Sequence, residues 1–186
     1  MKTLYLERST GECRKGDWVE KLDLEGIGRI VVGTGPGSFA GIRSALAFAQ
    51  GYALGKPGLE VFGLPSACAI AADFYSQSPS PIPHSLAVVG DARQGKLWVA
   101  EFVGCSLVKE IYQIESSDLR LPLHASTVVV SPDDKRIGVM LKSVFGERYL
   151  GERLPTAGGL ESFAEANPAI LVREPLPIYL NPAVRS

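Results

Sequence analysis

Residues 29–55 read RIVVGTGPGSFAGIRSALAFAQGYALG: a β-branched run, three alternating glycines, and a helix-forming stretch whose only charge is Arg43. A compact buried strand that must pass at once into a helix constrains the fold more than any other feature. Gly33, Gly35 and Gly37 permit backbone angles other residues resist, Pro36 stiffens the turn, and Ser38 is placed to cap a helix running from about Ser38 to Leu54. At the helical period Ile42, Leu46, Ala49 and Ala53 share one side, while Gly41, Ala45, Phe48 and Tyr52 form a second apolar side. Arg43 and Gln50 mark the polar seam between them. A sheet of the same lobe covers one side. The second needs another cover, either another helix of this chain or another molecule.

Flanking segments extend this unit into an α/β pattern. TLYLE alternates like a strand, LEVFGLP is another, and LPSACAIAADFY starts a second helix from about Pro65 to Tyr75. Strand and helix alternating over such short connections imply parallel strands. SQSPSPIPHS, residues 76–85, carries three prolines and four serines and reads as an extended connector. The resulting division is an N-terminal lobe over 1–77, a linker over 78–84 and a C-terminal lobe over 85–186. That second lobe opens with LAVVGDARQGKLWVAEFV, a hairpin with Gly95 supplying positive φ, followed by CSLVKEIYQI as a third strand and STVVV as a fourth. Ser131 as N-cap, Pro132 at the first helical position and apolar residues from Ile137 to Phe145 predict a helix closed by Gly146. LESFAEANP reads as a short helix, and PLPIYLNPAVRS is too rich in proline for a central strand.

Composition excludes several functions. With 186 residues the chain buries roughly 70% of its unfolded surface and needs no staples. Its three cysteines, Cys13, Cys68 and Cys105, form neither a disulfide framework nor a C-x-x-C zinc motif, which fits a reduced, cytoplasmic setting. The N-terminus lacks the apolar run of a signal peptide or a membrane anchor. Nineteen basic against twenty acidic residues give a net charge of −1, which disfavours tight nucleic-acid binding by the chain alone. The two histidines, His84 and His124, are forty residues apart in loop-like contexts and read as surface groups, so no metal site is expected. No serine or cysteine has a histidine base in a recognisable motif.

The glycine loop fits no standard phosphate motif. A Walker A loop requires a lysine, and none stands between Lys21 and Lys56; the dinucleotide fingerprint requires a third glycine where Ser38 stands. Two readings of the loop stay open: exposed N–H groups at a helix start that hold an anion, or glycines that only let the backbone turn and pack closely.

GTGPGSFAGIRSALAFAQGYALG, VFGLPSACAIA and DARQGKLWVAEF together resemble the TsaB (YeaZ) family of bacteria. The likeness covers residues 29–103 well, touches the tail PIYLNPAV, and holds only in outline over 104–170. It carries over Gly33, Gly35, Pro36, Gly37, Ser38, Phe39 and Arg43 as the family motif loop, and Asp91, Ala92 and Arg93 as the hairpin motif. It implies an α/β, actin-like (ribonuclease H-like) two-lobed fold with mixed sheets, and a non-catalytic role without cofactor in making threonylcarbamoyladenosine in tRNA. The implied partners are a TsaD-type transferase and a TsaE-type ATPase, with homodimers when the protein is alone, tRNA only within the complex, and no membrane.

The chain departs from that pattern at its start. Glu7 stands where the family has an aspartate, and the twenty-one residues from Arg8 to Gly28 inclusive leave the first lobe short of a helix. Loss of that neighbour predicts that the side carrying Gly41, Ala45, Phe48 and Tyr52 is bare and serves as the partner or dimer interface. Asp91 and Arg93 read either as a relic of phosphate binding or as a pair that satisfies backbone groups at a turn. The alternative function is an actin-like phosphotransferase or ATPase that would use Gly33–Ser38, Asp91–Arg93 and Glu7 around a nucleotide.

Overall fold

A computed structural model describes residues 2–10, 19–78, 83–118 and 123–180, so part of the 78–84 connector and the end of the tail lie outside the described residues. By its contacts the chain divides into two units, one of residues 1–69 and 155–178, the other of residues 70–154 and 179–186.

The first unit is built on a four-stranded sheet. Strands β1 (Lys2–Leu6), β2 (Ile27–Gly33) and β3 (Glu60–Leu64) run parallel in the order β1-β2-β3, as the alternation of strands and helices requires. Helix α1 (Phe39–Leu54) connects β2 to β3 and lies on one face, where Ile42, Leu46 and Ala49 pack with Leu6, Ile30 and Val32. Ser38 caps it by accepting from the Gly41 amide at 3.4 Å, and Gly55 ends it by donating to the Tyr52 carbonyl at 3.2 Å. Leu4 and Leu6 turn toward α1, so the alternating Tyr5 faces the other side, where Glu161 and Glu165 act on it. These acids belong to α4 (Ala157–Ala166), capped by Thr156 through the Gly159 amide at 2.9 Å and burying Leu160 and Phe163. Between β1 and β2 the described residues hold a single 3-10 turn, Val19–Lys21, and no α-helix.

The sheet is completed from the far end of the chain. Strand β10 (Val172–Arg173) pairs antiparallel with β3, setting Val172 opposite Gly63 and Arg173 opposite Phe62. The division at 77/85 inferred from the sequence therefore gives way: residues 155–178 belong with the first unit, because β10 and α4 complete its sheet and cover its second face. The break on the other side falls within α2 (Ser66–Gln77), ahead of the proline-rich connector.

The second unit carries a mixed sheet in the order β6-β5-β4-β8-β9. The hairpin of β4 (Ser85–Arg93) and β5 (Lys96–Val103) turns through Arg93, Gln94 and Gly95, all with positive φ, so the turn needs two non-glycine residues in that region besides the expected glycine. CSLVKEIYQI forms two short strands instead of one. Gly104 reverses the chain at φ 53°, β6 (Ser106–Leu107) pairs with one end of β5, and β7 (Tyr112–Glu115) pairs with the other. Strands β8 (Val128–Ser131) and β9 (Tyr149–Glu152) follow in parallel, connected by α3 (Asp134–Phe145). Ile137, Leu141 and Phe145 of α3 pack on Ala87, Val89, Leu97 and Val99. Ser131 stays in β8 and Asp133 takes the N-cap position expected of it, because the Ser131 hydroxyl accepts from the Asp133 amide at 3.0 Å. Gly146 closes the helix at φ 58°, as expected.

Candidate functional site

The glycine loop is filled by its own chain. The Ser38 amide donates to the Ser9 carbonyl at 2.6 Å, the Gly35 amide to the Ser66 hydroxyl at 3.0 Å, and the Thr34 amide to the Leu64 carbonyl at 2.9 Å. Ser66 returns the contact by donating its own amide to the Gly35 carbonyl at 2.8 Å. A Cβ on Gly37 would strike the Ser9 carbonyl, and one on Gly33 would strike the Glu7 carboxylate, so these glycines are required for close approach of the segment after β1. An anion bound to the Thr34, Gly35 or Ser38 amides would have to displace those partners. Of the two readings left open by the motif, the arrangement fits backbone packing; Gly35–Pro36 is a cis peptide bond.

Glu7 is the chemically unusual member of this loop. Its Oε1 accepts from the Ser9 amide at 2.6 Å, while its Oε2 is buried without a hydrogen-bond partner in good geometry. Burial raises the carboxyl above its ordinary range, and hydrogen bonding from Ser9, Ser66 and Arg8 offsets only part of that rise. A proton is therefore held more tightly on Glu7 than on an exposed glutamate. Sequence reading noticed Glu7 as a substituted position but missed Ser9 and Ser66, whose only signal was their place beside β1 and at the start of α2.

The helix behind the loop presents a different face from the expected one. Gly41 and Ala45 are buried against the sheet, so they cannot form a bare interface. Phe48 and Tyr52 are half-buried, stack at 5.8 Å, and pack, as Leu22 and Ile27 do, against the core of the first unit; the Tyr52 hydroxyl donates to the Leu24 carbonyl at 3.2 Å. The segment preceding β2 thus reaches this side of the helix through Leu24. The exposed ridge instead carries Phe39, Ala40, Arg43, Ala47, Gln50 and Leu54, with Phe39 56% and Leu54 90% exposed. Arg43 lies with its guanidinium carbon 4.9 Å from the centre of the Phe39 ring. These two motif residues are one turn apart and both face outward.

A protein-family model described as TsaD, tRNA N6-adenosine threonylcarbamoyltransferase, matches residues 19–114, just over half of the chain. The chain belongs to this family. The matched span includes the glycine loop, α1, α2 and the β4–β5 hairpin of this TsaD-family protein. Two solved structures share its α/β fold. A Pseudomonas aeruginosa protein described as uncharacterized with similarity to peptidase YEAZ aligns with a TM-score of 0.65 and 20% identity over 88% of this chain and 78% of its own. YeaZ from Pseudomonas aeruginosa aligns with a TM-score of 0.62 and 22% identity over 82% of this chain and 74% of its own. The chain is YeaZ-like in fold, as its motifs imply, and shorter than those proteins. No curated protein matches the chain significantly.

Elsewhere in this TsaD-family chain, the hairpin motif is committed to its own surroundings. The Asp91 carboxylate accepts from the Arg93 amide at 2.8 Å and meets the Arg136 Nε at 3.1 Å, and the Asp91 amide donates to the Asp133 carboxylate at 2.9 Å. Arg136 pairs with Asp133 as well, closing a network of two acids and two arginines. Ala92 is buried between them in sequence. Of the two readings of Asp91 and Arg93, the contacts are those of a turn-stabilising pair. His84 and His124 are both exposed, and among the described residues no group of three His, Cys, Asp or Glu side chains is placed to hold a metal ion. Burial pushes the Cys68 thiol up, out of the range of a nucleophile at neutral pH. Cys13 lies outside the described residues. Among the described residues no helix is long and apolar enough to cross a membrane.

Proposed function

We propose that this protein is a non-catalytic subunit of the machinery that makes threonylcarbamoyladenosine in tRNA, and that it binds a TsaD-type transferase, or a second copy of itself, through the outer ridge of α1. The observation that carries the reading is the contrast between loop and helix. The Thr34, Gly35 and Ser38 amides of the glycine loop are bonded within the chain, whereas Phe39, Arg43, Ala47 and Leu54 form an exposed, mostly apolar helix ridge among the described residues. Family membership supplies the context, and the TsaB resemblance supplies the partner class. A TsaE-type ATPase and tRNA enter in this reading only within the assembled complex, and the net charge of −1 agrees with tRNA being held by the other subunits.

Co-expression with the TsaD-type transferase of the same host, followed by size-exclusion chromatography with light scattering, tests it. The wild type is expected to co-elute with the transferase, or to run as a dimer alone, and Ala47→Asp to lose both. A wild-type monomer that ignores the transferase overturns the proposal. Calorimetry with Mg-ATP is expected to show no binding; micromolar binding with hydrolysis would instead establish the phosphotransferase or ATPase reading.

A further inference from the structure

The first sheet has an unfinished edge. The bond from the Thr34 amide to the Leu64 carbonyl shows that Leu64, and by alternation Phe62 and Glu60, direct their backbone groups toward β2. Gly63, Val61 and Leu59 therefore direct theirs to the opposite edge. Gly63 meets Val172 there, but β10 ends after Arg173, because Glu174 adopts φ 53° and turns the chain back so that Pro175 lies over Gly63. A strand continuing in register would have placed its next residue opposite Val61. Among the described residues no strand pairs with Val61 on that edge, and beside it lies a groove of about 460 Å³ lined by Ala53, Leu54, Leu59, Val61, Glu174 and Pro175 among others.

Charge selects what fits the groove. Glu60, on its rim, is neutralised by Arg173 at 2.6 Å and by Arg29 at 3.6 Å. Glu174, the other acid of the lining, has no ion-pair partner among the described residues and is the charged group of the lining left open to an incoming cation. We propose that this edge takes one extended peptide segment of a partner protein by strand addition, with its backbone bonded to the Val61 N–H and C=O and to the Leu59 carbonyl. An apolar side chain of that segment enters between Ala53, Leu54 and Val61, and a lysine or arginine meets Glu174. The groove shares Gln50 and Leu54 with the outer ridge of α1, while the strand addition itself uses the backbone edge of β3, which the Val61 measurement below reads separately from that ridge.

A phage-displayed library of random ten-residue peptides, panned in parallel on the immobilised full chain and on its Ala53→Trp and Glu174→Lys variants, tests the proposal. The wild type is expected to enrich peptides with a basic residue among alternating apolar ones. Filling the groove with Ala53→Trp is expected to lower that enrichment at least tenfold, and Glu174→Lys to shift selection toward acidic peptides. A synthetic copy of an enriched peptide is expected to shift the Val61 amide resonance and slow its hydrogen exchange, and an N-methylated copy to do neither. That last comparison uses the wild type alone and stands even if Ala53→Trp fails to fold. Equal enrichment on all three proteins, or a Val61 amide that the peptide leaves unmoved, overturns the proposal, as does failure to enrich any peptide.

Discussion

Glu7 and Gly33 form one contact seen from two sides: the carboxylate occupies the space a side chain on Gly33 would need. Gly33→Ala must push that buried carboxyl aside, and overpacking of this kind typically costs about 1–3 kcal/mol. Urea unfolding of the variant should show that loss at an unchanged slope. The carboxyl itself makes stability depend on pH. Because its folded-state pKa is raised, the folded chain keeps a proton that the unfolded chain releases, so stability is full below the ordinary glutamate range and falls as pH rises through the higher folded value. Glu7→Gln removes this dependence. Compared with the variant, the wild type should lose stability as pH rises above the ordinary glutamate range, at a slope of at most about 1.4 kcal/mol per pH unit. Parallel profiles would show that Glu7 titrates normally. Sequence alone identified the glycines but not what presses on them, because Ser9 and Ser66 reach the loop from distant stretches and neither sits in a recognisable motif.

Among the elements, α1 was the most legible and its surface the least. Its start at Ser38, its end at Gly55 and its packing side of Ile42, Leu46 and Ala49 all follow from cap chemistry and helical period. The second apolar side was misjudged because periodicity says which residues share a face and nothing about a short irregular segment that reaches it. Leu22 packs on the same core cluster and the Leu24 carbonyl takes the Tyr52 hydrogen bond, both from a stretch that is not helical. This separates two substitutions two residues apart. Ala45→Asp buries a charge against the sheet and should destabilise the fold by several kcal/mol, whereas Ala47→Asp on the exposed ridge should stay within about 0.5 kcal/mol of the wild type. Thermal unfolding of both, measured beside transferase binding, distinguishes loss of fold from loss of contact. A large destabilisation by Ala47→Asp would place that ridge inside the folded core.

For the whole molecule, a division drawn along the sequence follows the proline-rich connector, because composition marks linkers well; it has no way of seeing that a chain returns. The return here is made by α4 and by a strand of two residues, too short for any alternation to announce. Leu160 and Phe163 are nevertheless fully buried in the first unit, and burial of each contributes about 1.5–3 kcal/mol. Together they amount to about 3–6 kcal/mol, a large part of the net stability of a domain near the low end of the usual range of about 5–15 kcal/mol. A chain ending at Leu154 should therefore lose the first unit cooperatively while the β4–β5 hairpin persists. Hydrogen exchange of the truncated chain should show Ile30, Val31 and Val32 losing protection by several orders of magnitude, with Val88 and Val99 retaining theirs. If residues 155–178 belonged with the second lobe, as the linear division had it, the pattern would invert: β2 would stay protected, and the loss would fall on β4 and β5.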